Sequence, residues 1–176
     1  YFRDMSKIKK FLLRKMFDSE NRVIESKSNF IIPDEIINNY KNIQFHKFGK
    51  KNQKKIFYVI QRKIGGGFFS NLLFVLNHLV ISEKFNFIPV IDMENFEGFY
   101  SEKNKVNKSL NAWEYYFDQP KNFSLKEVYK SKNVIITSNK TFASYKYRAF
   151  KKHKDLFKIF KKYISIKKKF LNDNNK

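Results

Sequence analysis

The clearest pattern in the chain is a change of apolar period across three consecutive glycines. Ile56–Ile60 is an unbroken apolar, β-prone run, the signature of a strand buried on both faces of a parallel sheet. After Gly65, Gly66 and Gly67 the period changes: Leu72, Val75, Leu76, Leu79 and Val80 recur at helical spacing, with Ser70 placed as a cap. Phe87–Ile91 is again a short apolar run, with Asp92 at its carboxyl end. The three pieces predict a strand–loop–helix–strand unit, a connection of fixed right-handed sense. A polar loop spans Glu94–Leu110, followed by a compact aromatic patch over Asn111–Pro120. Ser124 and Glu127 form a capping box for a short helix reaching Lys130. Asn133–Thr137 reads as a third strand. Tyr145–Leu171 is helical and basic, with Phe150, Leu156, Phe157, Phe160, Tyr163 and Ile164 on its apolar side. The β-α-β-α-β-α order predicts an α/β fold, a Rossmann-like parallel sheet flanked by helices.

Upstream the pattern is weaker. Met5–Phe17 reads as a short basic amphipathic helix, and Ser19–Gly49 as irregular chain with a short helix starting at Pro33 and Asp34. The expected organisation is a basic, helical and irregular extension over residues 1–50, then the Rossmann-like domain over 51–176.

Composition narrows the class. With 42% hydrophobic and 18% aromatic residues in 176, the chain can bury a substantial core. It has no cysteine, which removes disulfides and thiolate metal sites and suits a reducing cytoplasm. No two histidines share metal-ligand spacing, so no metal site is expected. No apolar run approaches the roughly 20 residues of a membrane span. The net charge of +21 is largely lysine. Alongside abundant Asn, Ile, Phe and Tyr, that fits A/T-rich codon usage and solvated faces better than base reading, which favours arginine. Nucleic acid is therefore disfavoured as a partner, and peripheral contact with an anionic membrane from the cytoplasmic side is the stronger electrostatic expectation.

The glycine run between a buried strand and a helix leaves amides free at the helix's positive end, an arrangement suited to phosphate or pyrophosphate. Gly65-x-Gly67-x-x-Ser70 nearly matches the dinucleotide fingerprint, with Ser for the third glycine, and Asp92 stands about where a ribose-binding acid would be. An NAD(P)- or FAD-binding domain therefore stays open on spacing alone. So does a basic membrane- or nucleic-acid-binding module without catalysis. A Walker-type loop is excluded because no Gly-Lys-Ser/Thr follows. Asp92 ends a strand of an α/β sheet, where ligands gather. Trp113, Tyr115, Tyr116 and Phe117 fit a core better than a sugar-stacking platform. His78, amid apolar neighbours, fits a packed core histidine.

Two separated segments resemble a known family. Gly65-Gly-Gly-Phe-Phe-Ser-Asn71 with its apolar helix and the strand ending at Asp92 is similar to the opening unit of the fucosyltransferase superfamily, which spans α-1,6-fucosyltransferases, the nodulation fucosyltransferase and protein O-fucosyltransferases. Trp113-Glu-Tyr-Tyr-Phe117 resembles the Trp-Glu-x-x-Phe segment of α-1,6-type members. The resemblance covers roughly Lys54 to Lys169. It implies the N-terminal domain of a GT-B glycosyltransferase and metal-independent, inverting transfer from a GDP-sugar, usually GDP-fucose, to a glycan or lipid-linked glycan acceptor. No cofactor is implied beyond that donor. Gly65, Gly66, Gly67, Phe68 and Asn71 would then lie near the donor phosphates. Asp92, Glu94, Trp113 and Glu114 would lie on the acceptor side, with Asp92 and Glu114 as candidates for catalysis. The family's His-x-Arg-x-x-Asp-like segment, whose arginine neutralises the departing pyrophosphate, does not occur in these 176 residues. Together with a first residue, Tyr1, that is not Met, this leads to the expectation of half an enzyme that lacks its C-terminal domain, binds donor weakly and does not turn over.

Overall fold

The computed structural model describes residues 43–62, 66–137 and 153–171. Expectations for Met5–Phe17, for the helix at Pro33, for Gly65 and for residues 145–152 lie outside these. The elements are β1 (Gln44–His46), β2 (Lys51–Ile60), α1 (Phe68–Lys84), β3 (Ile88–Ile91), a 3₁₀ turn (Ala112–Tyr115), α2 (Leu125–Val128), β4 (Ser131–Ile136), α3 (His153–Tyr163) and α4 (Lys168–Leu171).

They form an open four-stranded sheet in the order β1-β4-β2-β3, with β2 parallel to both neighbours and β1 antiparallel on the outside of β4. The α/β class and mostly parallel sheet follow the apolar pattern. β1 does not: Gln44–His46 pairs with Val134–Ile136, although the sequence assigned it to the irregular extension. A strand this short, of Gln, Phe and His, has no period of its own to read. Gly49, in the turn from β1 to β2, has a specific reason to be glycine. A Cβ there would lie 2.4 Å from the Lys130 carbonyl oxygen, so the close approach excludes any side chain.

The continuous apolar runs face two layers. Tyr58, Ile60, Ile91 and Ile135 pack with α1, α3 and the Trp113–Phe117 patch on one face. Phe57, Val59, Val90, Val134 and Ile136 pack with Val128 of α2 and with Phe96 on the other. Alternation along each strand thus sends successive side chains into different cores, which is why neither polar nor apolar period shows. α1 lies centrally in its layer and buries Phe74, Val75, Leu76, His78, Leu79, Ile81 and Ser82. His78 is fully buried, its Nδ1 2.8 Å from the Tyr58 hydroxyl, the packed histidine expected. α3 runs alongside α1 in the same direction: Phe157 adjoins Phe69, while at the far end Lys162 pairs with Glu83 at 2.6 Å. The outer edge of β3 is closed by side chains, since the Gln119 amide both accepts from Ile91 N–H (2.9 Å) and donates to its carbonyl (2.8 Å).

β1 also sets a pH response. Burial pushes His46 down from 6.5 to about 4, its ring stacked on Phe48 at 5.1 Å. Below pH 6.5 the unfolded chain takes a proton that the folded chain refuses until about pH 4, so stability is complete above this window and falls within it. Allowing for the partial exposure of the ring, about 1 kcal/mol should be lost between about pH 7 and pH 5. Urea midpoints at both pH values check this, and His46→Gln should abolish that component.

Candidate functional site

The strand order marks where an open α/β sheet is expected to receive a ligand. From β2 the chain crosses to β3 on one side, then returns past β2 to β4 on the other, so the topological switch lies between β2 and β4. Ligands of open α/β sheets gather outside the carboxyl ends of the strands at such a point. Here those ends carry Gln61, Arg62 and Thr137, and the glycine loop leads from them into α1.

The carboxyl ends of β2 and β4 are joined by a tight polar clamp. Gln61 N–H donates to Thr137 Oγ1 (3.1 Å), the Gln61 Nε2 amide donates to the Thr137 carbonyl (2.7 Å), and Thr137 N–H donates to Val59 (3.0 Å). These bonds fix the Gln61 amide, whose Oε1 is left as the one buried side-chain polar atom among the described residues without a hydrogen-bond partner. Such an atom costs free energy unless a donor meets it.

Arg62 lies at the head of α1. Its Nη1 donates to the Ser70 carbonyl (2.8 Å), Ser70 Oγ (3.2 Å) and Asn71 Oδ1 (3.1 Å), and its guanidinium lies over the Phe74 ring at 4.9 Å. Burial lowers its pKa, a sign that water solvates the cation incompletely. A cation at a helix N-terminus opposes the helix dipole, and an anion there would relieve both. The sequence reading passed over Arg62. Its only signal was an arginine between a buried strand and a glycine run, in a chain whose basic residues are nearly all lysine.

The expected loop residues fall into place around it. Asn71 is not a capping residue: besides accepting from Arg62, its Nδ2 donates to the Gly66 carbonyl (3.3 Å) and ties the loop to the helix. Ser70 is not the cap either, because α1 begins earlier, at Phe68, with Gly67 as N-cap and no side-chain capping bond. Phe68 contributes its amide, which donates to the Tyr100 hydroxyl at 3.0 Å.

The two described loop glycines differ. A Cβ on Gly66 would lie 2.8 Å from Ser70 Oγ and 3.0 Å from Ser70 Cβ, whereas one on Gly67 meets only Tyr100 Oη at 3.9 Å. Gly67, at φ −58°, has no need of glycine's conformational freedom. The position in the loop that requires glycine is therefore Gly66 rather than Gly67. Gly66→Ala should cost about 1 kcal/mol and loosen the Arg62–Ser70 contact, while Gly67→Ala should change stability by less than about 0.5 kcal/mol. Thermal melts of the pair check this.

The expected acceptor-side residues are not gathered at this point. Asp92 is fully buried, and both its oxygens are engaged. Oδ1 accepts from the amides of Glu94 (3.1 Å) and Asn95 (2.8 Å), Oδ2 from Asn95 Nδ2 (2.8 Å) and the Tyr129 hydroxyl (2.5 Å). Desolvation raises its pKa, only partly offset by these donors. It serves as a turn-forming carboxylate beneath the surface rather than as a group free to bind or deprotonate a substrate, and Glu94 supplies a backbone amide to that turn. Trp113 is core: 4% exposed, its ring 4.5 Å from Phe117 and its Nε1 donating to the Asp118 carbonyl (3.1 Å). Glu114 accepts from Ser109 Oγ (2.7 Å), Asn111 Nδ2 (3.4 Å) and Gln119 Nε2 (2.8 Å), orienting the amide that closes the β3 edge. It also lines a polar groove with Asp118, Lys161 and Tyr163, none of whose lining residues belongs to the glycine loop. Among the described residues no group of His, Asp and Glu could hold a metal ion.

Comparison of the chain with protein-family models, with curated proteins and with solved structures gave no match.

Proposed function

We propose that the chain supplies the nucleotide-facing half of a GT-B glycosyltransferase of the fucosyltransferase type, with a GDP-sugar, GDP-fucose in the simplest case, as donor and a surface glycan or lipid-linked glycan as acceptor. The observation that supports this reading is Arg62, held over the N-terminus of α1 at the switch between β2 and β4. A guanidinium held against the first turns of a helix suits a diphosphate, whose developing negative charge it would stabilise as the sugar leaves. The buried Gln61 Oε1 would accept from an N–H or O–H of the same ligand. With Asp92 sealed and Glu114 engaged, the residue that takes the acceptor's proton is not among those first considered. Lacking a His-x-Arg-x-x-Asp segment, these 176 residues should bind nucleotide without transferring sugar.

The strand order differs from the usual dinucleotide arrangement. In the dinucleotide fold the third parallel strand lies beside the second; here β4 lies beside β2, the first. Calorimetric titration with GDP, GDP-fucose, NAD(P) and FAD tests the ligand class. Saturable binding of the guanine nucleotides supports the proposal, and binding of NAD(P) or FAD in their place refutes it.

A further inference from the structure

The groove between α1 and α3 plays no part in the nucleotide reading. α1 contributes Phe69, Leu73 and Leu76 to its walls and α3 contributes Phe157 and Phe160, enclosing ≈ 420 Å³ of almost wholly apolar surface. Two of these rings are unusually bare, Phe69 at 73% and Phe157 at 58% exposed. Ring contacts extend the patch from Phe69 through Phe68 (5.4 Å) and Tyr116 (5.5 Å) to Phe170 (5.6 Å), beside exposed Leu171. A contiguous apolar face of this kind marks an interaction surface rather than scattered exposure.

Its charges are one-sided. From Phe68 to Ser82, α1 has no charged residue, while Leu156–Leu171 carries Lys158, Lys161, Lys162 and Lys167–Lys169 with no carboxylate. Glu83 pairs with Lys162 at the far end of α1. Lys161 and Lys169 run along the rings, each ammonium 4.4 Å from the centroid of Phe157 and Phe170 respectively. Lys169 Nζ also donates to Asn107 Oδ1. Long cationic side chains lying on exposed rings are the arrangement that inserts apolar surface while keeping charge at a polar boundary. No described helix is long and apolar enough to cross a membrane, so the contact would be peripheral.

We propose that this face docks on an anionic lipid bilayer, with Phe69, Leu73 and Phe157 entering the headgroup–acyl boundary and the α3–α4 lysines meeting lipid phosphates. Single-stranded nucleic acid fits less well. Leucines interrupt the rings along the groove, and α3 and α4 have no arginine between Leu156 and Leu171 to pair with a phosphate backbone.

The full chain should sediment with phosphatidylcholine vesicles containing about one-third phosphatidylglycerol at least about tenfold more tightly than with phosphatidylcholine alone. The double variant Phe69→Ser/Phe157→Ser should lose about tenfold of that binding with an unchanged melting temperature, since both rings are exposed in the fold. Lys161→Glu/Lys169→Glu should lose binding comparably, and this second variant keeps the test decisive if the first is destabilised. Equal binding to both vesicle types, or binding unaffected by the phenylalanine changes, overturns the proposal. So does tighter, salt-sensitive binding to single-stranded oligonucleotides that ignores them.

Discussion

Asp92→Ala is expected to remove a large share of the protein's folding stability. The carboxylate is fully buried between β3 and α2 and receives two backbone amides, the Asn95 side chain and the Tyr129 hydroxyl. Removing it strands these donors where water enters poorly, at a cost of about 3–5 kcal/mol against the roughly 5–15 kcal/mol that stabilises a typical domain. Asp92→Asn should cost far less, about 1–2 kcal/mol, because an amide oxygen can still close the turn and the Tyr129 hydroxyl can reverse its role. The pH dependence distinguishes this group from an ordinary carboxylate. Its folded pKa is raised, so between the usual value of 3.8 and the folded value the native state binds more protons than the unfolded one. Stability from this residue therefore rises, rather than falls, as pH drops through its folded pKa. Tyr129 stays protonated throughout, since burial and the neighbouring carboxylate push it well above its ordinary range. Denaturant unfolding of the wild type and both variants measures each effect.

The second large effect concerns binding. Arg62→Gln should weaken GDP affinity about 30-fold, equivalent to about 2 kcal/mol, the usual worth of a charge-assisted contact to phosphate. Stability should change by less than about 0.5 kcal/mol, because losing the arginine's bonds to Ser70 and Asn71 is offset by removing a cation from the positive end of α1. Arg62→Lys should restore only part of the affinity, since an ammonium lacks the planar fork that grips two oxygens. Titration of GDP into the three proteins, with melts as controls, checks the split between binding and folding.

How much of this was legible in the sequence depended on whether a feature was local. The apolar runs placed β2, α1, β3 and β4 within a few residues, because continuous burial leaves its mark on consecutive positions. The cap at Ser124 held, with Ser124 Oγ accepting from the Glu127 amide, while the Glu127 carboxylate accepts from Asn52 Nδ2 (3.3 Å). β1 was missed because its partner lies about ninety residues away, and β4 supplies what Gln44–His46 lacks in pattern. The site was half legible. Three glycines advertised the loop, but Gln61 and Arg62 acquire meaning only when β4 brings Thr137 alongside, 76 residues later. Asp92 was the instructive miss. A carboxylate at a strand's carboxyl end reads as a ligand group, and nothing local reveals that Tyr129, 37 positions on, covers it. Trp113 went the way of most aromatic clusters, into the core.

Amide chemical-shift mapping with GDP tests most directly whether the head of α1 is a phosphate-binding point. Saturable shifts confined to Gln61, Arg62, Phe68–Asn71 and Thr137, lost in Arg62→Gln, are the predicted result. Shifts centred on the polar groove beside Glu114, or no shifts at millimolar GDP, would contradict it.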